Sequence, residues 1–203
     1  AGRSRYRRYS GGPYCLPGEY KVVLELDGTR LEKPLTVKPD PRHAFTLEER
    51  RQNQEFVREI GVLAHSGSRL IREMEGLQTR IKTVETGIKA ASIADQELIR
   101  KLRNLREKAA KIQSVYSYSV EGRTGYRRPV EVALRGGTLP EQLSRLRGSV
   151  SRYQGAPTHT QIEHFQEIKS VLEPLLTRAQ ELRRVDIPEI NRKLNALNYP
   201  VIR

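Results

Sequence analysis

From Phe56 onward the chain places one residue after another at alternating spacings of four and three: Phe56, Ile60, Leu63, Gly67, Leu70, Met74, Leu77, Ile81, Val84, Ile88 and Ala91. Only Gly67 interrupts the apolar run. A spacing that averages 3.5 residues keeps one stripe of an α-helix facing a partner helix, and no strand can use it. The stripe therefore predicts a single long helix, opened by the capping box Thr46-Leu47-Glu48-Glu49, in which a hydroxyl and a glutamate three residues on satisfy each other's backbone N–H groups. At 1.5 Å per residue such a helix runs about 65–70 Å. The stripe is expected to be packed core and not a cofactor box. Gly61, Gly67 and Gly76 each weaken an exposed helix by about 1 kcal/mol relative to alanine. On the seam, Gly67 could instead allow a close helix crossing.

More helices are expected to follow. A turn near residues 90 to 95, with Ser92 to Asp95 as the cap, leads into a stripe of Leu98, Leu102, Leu105, Ala109, Ile112 and Tyr116. The short connection makes the first two helices antiparallel neighbours. Residues 117 to 137 are the least regular part and are read as loop, although VYSYSVE alternates like a strand. Thr138-Leu139-Pro140-Glu141 caps a short helix carrying Leu139, Leu143, Leu146 and Val150, with proline harmless in the first turn. Gly155 and Pro157 break the chain. Thr158 or Thr160, paired with Gln161 or Glu163, opens a fourth helix with Ile162, Phe165, Ile168, Leu172, Leu175, Ala179 and Leu182, bent at Pro174. Asp186-Ile187-Pro188-Glu189 reads as one more cap, for a tail helix carrying Ile190, Leu194 and Leu197. No solenoid-type repeat is present.

The exception stands at the front. Residues 17 to 42, PGEYKVVLELDGTRLEKPLTVKPDPR, read as one β-hairpin. Tyr20, Val22, Leu24 and Leu26 fall on one face of the first strand and Val23 on the other. Asp27-Gly28 suits a two-residue turn with positive φ at both positions. Leu31, Leu35 and Val37 continue the pattern on the return strand. Pro34 there implies an edge or a bulge, and Asp40-Pro41 ends the sheet. A lone two-stranded hairpin is marginal in water. Either it packs against the helices, or its remaining sheet is not in this chain. The expected organisation is a basic tail over 1–16, flexible or used for docking, a hairpin over 17–42 and a helical bundle over 46–200. The fold class is mainly α, a long antiparallel, coiled-coil-like helical hairpin or bundle behind a small β-hairpin.

Composition then limits function. With 36% hydrophobic and 30% charged residues, the chain suits long helices with narrow apolar stripes. No apolar run reaches membrane-span length and no signal peptide is visible. Cys15 is the single cysteine, expected to be a small half-buried residue, so no internal disulfide forms and redox compartment cannot be read. His43, His65, His159 and His164 do not share ligand spacing, which argues against zinc. No nucleophile elbow, P-loop or dinucleotide fingerprint is present, and no pair of carboxylates is placed to converge in a pocket. The chain is therefore expected to be no enzyme and to take no cofactor, metal or small-molecule substrate.

The formal net charge of +13 favours acidic partners: nucleic acid, anionic lipid or an acidic protein face. Part of it lies in Arg3, Arg5, Arg7 and Arg8, interleaved with Tyr6, Tyr9 and Tyr14. That composition could serve a nucleic-acid arm, but no structured binding motif accompanies it. Contact with an acidic protein face is preferred. The four arginines could add about 4 kcal/mol at an anionic membrane, at about 1 kcal/mol each, too little to anchor the protein alone.

The segment PGEYKVVLELDGTRLEKPLTVKPDPR also resembles the closing strands of an immunoglobulin-like sandwich at the C-terminal end of large sialidase-like β-propeller proteins with BNR repeats, often labelled glycosyl hydrolase or sortilin-like. LPEQLSRLRGSVSRYQGAPTHTQIEHFQEI and the Asp186–Asn191 segment are similar to that family's helical tail, so the resemblance extends over residues 17 to 200. It implies that the hairpin is a sandwich remnant, that the chain is a C-terminal piece or a shortened relative, and that the protein is exported to the periplasm or beyond. The propeller itself is missing: there is no Asp-box sequence and no tryptophan. No ligand site of a propeller transfers to any residue here. Three functions follow: a non-catalytic structural and interaction module serving as an accessory or scaffold subunit, a basic nucleic-acid-binding protein, or a fragment of a glycan-acting enzyme. The first is preferred. Partner recognition is then assigned to Arg3, Arg5, Tyr6, Arg7 and Arg8 with Tyr20, Val22, Val23 and Leu24, the first strand adding to a partner's sheet.

Overall fold

The computed structural model describes residues 13–91, 95–117 and 137–202. Their elements are β1 (Gly18–Leu26), β2 (Thr29–Val37), α1 (Leu47–Ala90), α2 (Gln96–Ser117), α3 (Leu139–Ser151), α4 (His159–Glu181), a π-helical turn (Leu182–Asp186) and α5 (Ile187–Ala196). The chain is mostly helical with one small antiparallel sheet, as expected.

The 44 residues of α1 form an unbroken rod, about 66 Å long at the standard rise. Thr46 makes the full capping box: its hydroxyl accepts from Glu49 N at 3.1 Å and Glu49 Oε2 accepts from Thr46 N at 2.7 Å. Those bonds hold the Glu49 carboxyl below its ordinary range. Every seam position from Phe56 to Ile88 is buried. Ala91 departs from the expectation; it is the exposed C-cap residue, past the last turn that α2 covers.

Helix α2 lies antiparallel to α1. Moving down α1, Glu85 takes Arg106 Nη1 at 2.7 Å, Gln78 bonds Gln113 at 2.8 Å, and Gly67 meets Tyr116. Asp95 caps α2, accepting from Leu98 N at 2.9 Å; Ser92, the other end of the expected cap, lies outside the described residues. Gly67 does not admit a helix backbone, as the sequence suggested. It admits a ring: a Cβ there would fall 2.5 Å from Tyr116 Cε2. Burial raises the Tyr116 phenol above its ordinary pKa.

The irregular stretch assigned to loop lies mostly outside the described residues; its first residue, Ser117, is the last of α2. Thr138 and Thr158 form capping boxes with Glu141 and Gln161, so Thr158 and not Thr160 opens α4. Helix α4 runs in the same direction as α1. Phe165 meets Phe56 edge-on at 5.2 Å, and further along Arg183 pairs with Glu73. Ile162 was expected on the buried stripe but is 40% exposed, because it sits at the rim before the Phe56–Phe165 contact.

The expected break at Asp186 does not occur. Its backbone is helical and its side chain makes no cap bond. Instead Asp186 accepts from Lys108 Nζ of α2 at 2.5 Å. The π turn supplies the reason. Pro188 has no N–H and its ring crowds the preceding turn. One widened turn, with Ile187 N reaching back to Leu182 O, lets the helix pass into α5 without stopping. Leu197, assigned to the tail stripe, is the 39% exposed C-cap. The chain then reverses at Asn198, whose φ is 51°. Tyr199 packs on Gly87, and Asn191 exchanges two 2.8 Å bonds with Ile202, which is buried. The core thus takes in Ile202, beyond the last helix.

One hydrophobic core results, drawn from all five helices and the π turn. It takes no described side chain before Phe56. The polar link between α2 and α5 is charged: Lys101 lies 2.9 Å from Glu97 and 2.5 Å from Glu189, while Lys193 also pairs with Glu97. These two lysines, Lys193 foremost, hold the Glu97 carboxyl down at about 2. No helix among the described residues is long and apolar enough to cross a membrane.

Candidate functional site

β1 and β2 pair antiparallel in an unbroken register from Leu26↔Thr29 to Gly18↔Val37. Asp27 and Gly28 have φ of 48° and 77°, the doubly left-handed turn the sequence called for. Register places Pro34 opposite Lys21 with no extra residue, so Pro34 marks an edge and not a bulge. A two-residue turn closes on a hydrogen-bonded pair, and pairs then alternate. Lys21↔Pro34 and Val23↔Glu32 are accordingly non-bonded pairs, whose backbone groups point away from the partner strand. Pro34 removes an outward N–H from the free edge of β2. The free edge of β1 keeps all of its own.

The two faces differ chemically. Glu19, Lys21, Val23 and Glu25 share one face with Arg30, Glu32 and Thr36. It is laced by Lys21–Glu32 at 2.7 Å, Arg30–Glu32 at 2.8 Å and Thr36–Glu19 at 2.8 Å. Tyr20, Val22, Leu24 and Leu26 share the other with Leu31 and Leu35, and with Lys33 opposite Val22 as its one charged member. No helix among the described residues covers it: Leu24 is 58% exposed, Leu26 66% and Leu31 60%. The hairpin does not pack on the helices, and no third strand joins it among the described residues. Its root is tied instead. Gln54 Nε2 of α1 donates to Tyr14 O at 2.8 Å, and Tyr20 Oη donates to Leu16 O at 2.8 Å. At the far side Asp40 forks Arg42 with a shortest contact of 2.7 Å, which lowers the Asp40 carboxyl well below the usual range.

Of the residues assigned to recognition, Tyr20, Val22 and Leu24 come together on this apolar face, whereas Val23 faces the charged side. Arg3, Arg5, Tyr6, Arg7 and Arg8 lie outside the described residues. Leu26, Leu31 and Leu35 were not assigned but complete the face; the strand alternation plus the two-residue turn was signal enough to place them. Cys15, expected half-buried, is exposed, because the segment carrying it runs outside the helical core. Three of the four histidines have side-chain neighbours as follows: His43 stacks on Phe45, His159 lies 3.1 Å from Glu163 and His164 lies 3.3 Å from Gln142. Among the described residues no three metal-ligating side chains converge.

No protein-family model, curated protein or solved structure matches the chain. Fold and site define it as a mostly helical protein that holds an amphipathic β-hairpin clear of its own core.

Proposed function

We propose that the protein is a non-catalytic interaction module, an accessory or scaffold subunit that docks on a protein partner through its hairpin while a coiled-coil-like helical bundle braces it. One observation carries this: six large apolar side chains on one hairpin face are exposed together, and the core of the same chain uses none of them. Contiguous apolar surface of this kind on a folded chain marks a contact surface. The partner supplies a strand to the free edge of β1 and an apolar surface over Tyr20, Val22, Leu24, Leu26, Leu31 and Leu35. Arg3, Arg5, Tyr6, Arg7 and Arg8 precede the hairpin in sequence and meet acidic groups of the same partner or of a membrane surface beside it.

The similarity of residues 17–42 to the end of a sandwich in sialidase-like propeller proteins supports the same picture. On that resemblance the hairpin presents a face that other strands cover in a sandwich, and the partner's surface takes that place here. On that relationship the protein acts in the periplasm or outside the cell.

The test is co-purification with the native partner. Val23→Pro removes an outward N–H from the β1 edge at a non-bonded pair and is expected to abolish docking with the far-ultraviolet helical spectrum unchanged. Deleting residues 1–16 should slow association and reduce its salt dependence. Normal co-purification of both variants would end the docking role. Submicromolar nucleic-acid binding at about 150 mM salt, with a steep salt slope, would favour the nucleic-acid alternative.

A further inference from the structure

Along β1, Glu19, Lys21, Val23 and Glu25 stand at the non-bonded pairs with β2, so their backbone N–H and C=O groups point outward. Among the described residues no strand takes them. The free edge of β2 is interrupted at its centre by Pro34. Each hairpin therefore has one edge fit for a full ladder. Joined to itself through a two-fold axis, such an edge closes as a dimer and leaves no second edge from which a fibre could grow.

Side chains choose the register. Two β1 strands pair antiparallel with outward residues opposite outward residues, which limits the axis to a few positions. An axis at Val23 sets Lys21 opposite Glu25 of the second copy, and Glu25 opposite its Lys21. Arg30 already stands opposite Glu25 within one hairpin, 3.7 Å away, so each row of the charged face alternates in sign from Arg30 to Glu25 to the second copy's Lys21. Lys21, held by Glu32 at 2.7 Å, gains an acid on its other side. On the opposite face Tyr20 meets Leu26 and Val22 meets Leu24, apolar against apolar throughout. Val23, 41% exposed and the one apolar residue that β1 places on the charged face, meets its own copy. An axis at Val22 adds a bonded pair, but it sets Glu19 against Glu25 at both ends and leaves Leu26 opposite Gly18. An axis at Lys21 sets the two lysines against each other. Like charges directly opposite destabilise a sheet and opposite charges stabilise it, so the Val23 register is preferred.

We propose, on the reading that the hairpin is the docking surface, that the strand taken up by the β1 edge comes from a second copy of this chain, in the register centred on Val23. Two hairpins then make one four-stranded sheet with a single apolar face, and the partner's apolar surface lies over both halves of it. The edge contact is small, so the dimer forms by mass action and is not obligate.

The experiment is sedimentation equilibrium on the full chain. The mean mass is expected to rise from the 23.3 kDa of one chain toward twice that value between about 5 and 500 µM. Lys21→Glu and Glu25→Lys each put like charges at both ends of the junction and should weaken the dimer about tenfold or more. Mixed in equal amounts, the two variants carry opposite charges at both ends, and the mixture should dimerise within about threefold of wild type. Whatever each change does to its own hairpin persists in the mixture, so the rescue reads the contact between copies alone. The Val22 register would instead make Glu25→Lys dimerise more tightly, by relieving its Glu19–Glu25 contacts. Three results would overturn the pairing: a wild type that keeps the mass of one chain throughout, single variants that dimerise as well as wild type or better, or a mixture that stays monomeric. A monomer that still binds its native partner, and loses it in Leu24→Asp, would separate failure of the dimer from failure of docking.

Discussion

The helices and the hairpin are built from the same kinds of residue and meet opposite fates. Leu77, Ile81 and Leu102 are almost wholly buried; Leu24, Leu26 and Leu31 are more than half exposed. Each set is regular, one with the period of a helix and one with the period of a strand. Each helix finds another helix's stripe within the chain. Among the described residues the hairpin finds no second sheet, and its two strands can bury nothing against each other except edges. Regular patterning therefore tells which face is meant to be covered. It does not tell whether the cover is in the same polypeptide.

The sharpest way to break that contrast is to charge both regions. Leu77→Asp or Ile81→Asp puts an unpaired carboxylate in the seam and should cost about 3–5 kcal/mol. Thermal or urea unfolding followed at the helical band measures it, and an unchanged midpoint would show that the seam is not buried. A smaller effect separates two glycines of α1. Gly67→Ala drives a methyl group into the Tyr116 ring and should destabilise by about 1–3 kcal/mol. Gly61, which has nothing near its missing Cβ, should gain up to about 1 kcal/mol on the same change. Equal effects at the two sites would remove the close ring contact from the account.

Acid tests the charged link between α2 and α5. The Glu97 carboxyl is lowered from 4.5 to about 2 in the fold. A depressed carboxylate stabilises fully above its unfolded value and loses that contribution as pH falls through its folded value. The melting difference between wild type and Glu97→Gln should therefore be constant above about pH 5 and shrink between 4.5 and 2. A difference that persists to pH 2 would detach it from ionisation. The smallest stability change belongs to the hairpin. Leu24→Asp should stay within about 0.5 kcal/mol of wild type, as exposed substitutions do, while partner association is lost. A marked drop in melting temperature would show that the hairpin is covered after all.

Much of this was legible in the chain. Thr46 and Thr138 are legible as caps from the glutamate three residues on, because a capping box is entirely local, whereas the pattern left Thr158 and Thr160 both open for α4. Asp27-Gly28 and the alternation on either side specified the hairpin register for the same reason. Asp186 misled. It has the residues of a cap, yet Lys108 from another helix claims its carboxylate and a π turn absorbs Pro188. Arg50 gave no signal at all; a first-turn arginine is ordinarily solvated, and only Phe45, Gln154 and the hairpin root enclose it.

The sequence by itself determined the elements: a long heptad helix, its shorter companions, their caps, and a two-strand ribbon with one apolar face. Those depend on backbone hydrogen bonding and side-chain period, which act within a few residues. Only the tertiary structure decided that Tyr116 and Tyr199 lie on Gly67 and Gly87, that Asn191 clasps Ile202, that the Arg50 guanidinium is shut in against Phe45 and Gln154, and that the hairpin's apolar face remains outside. Such outcomes depend on which surfaces meet across tens of residues, where shape and desolvation choose among partners that local pattern leaves equivalent.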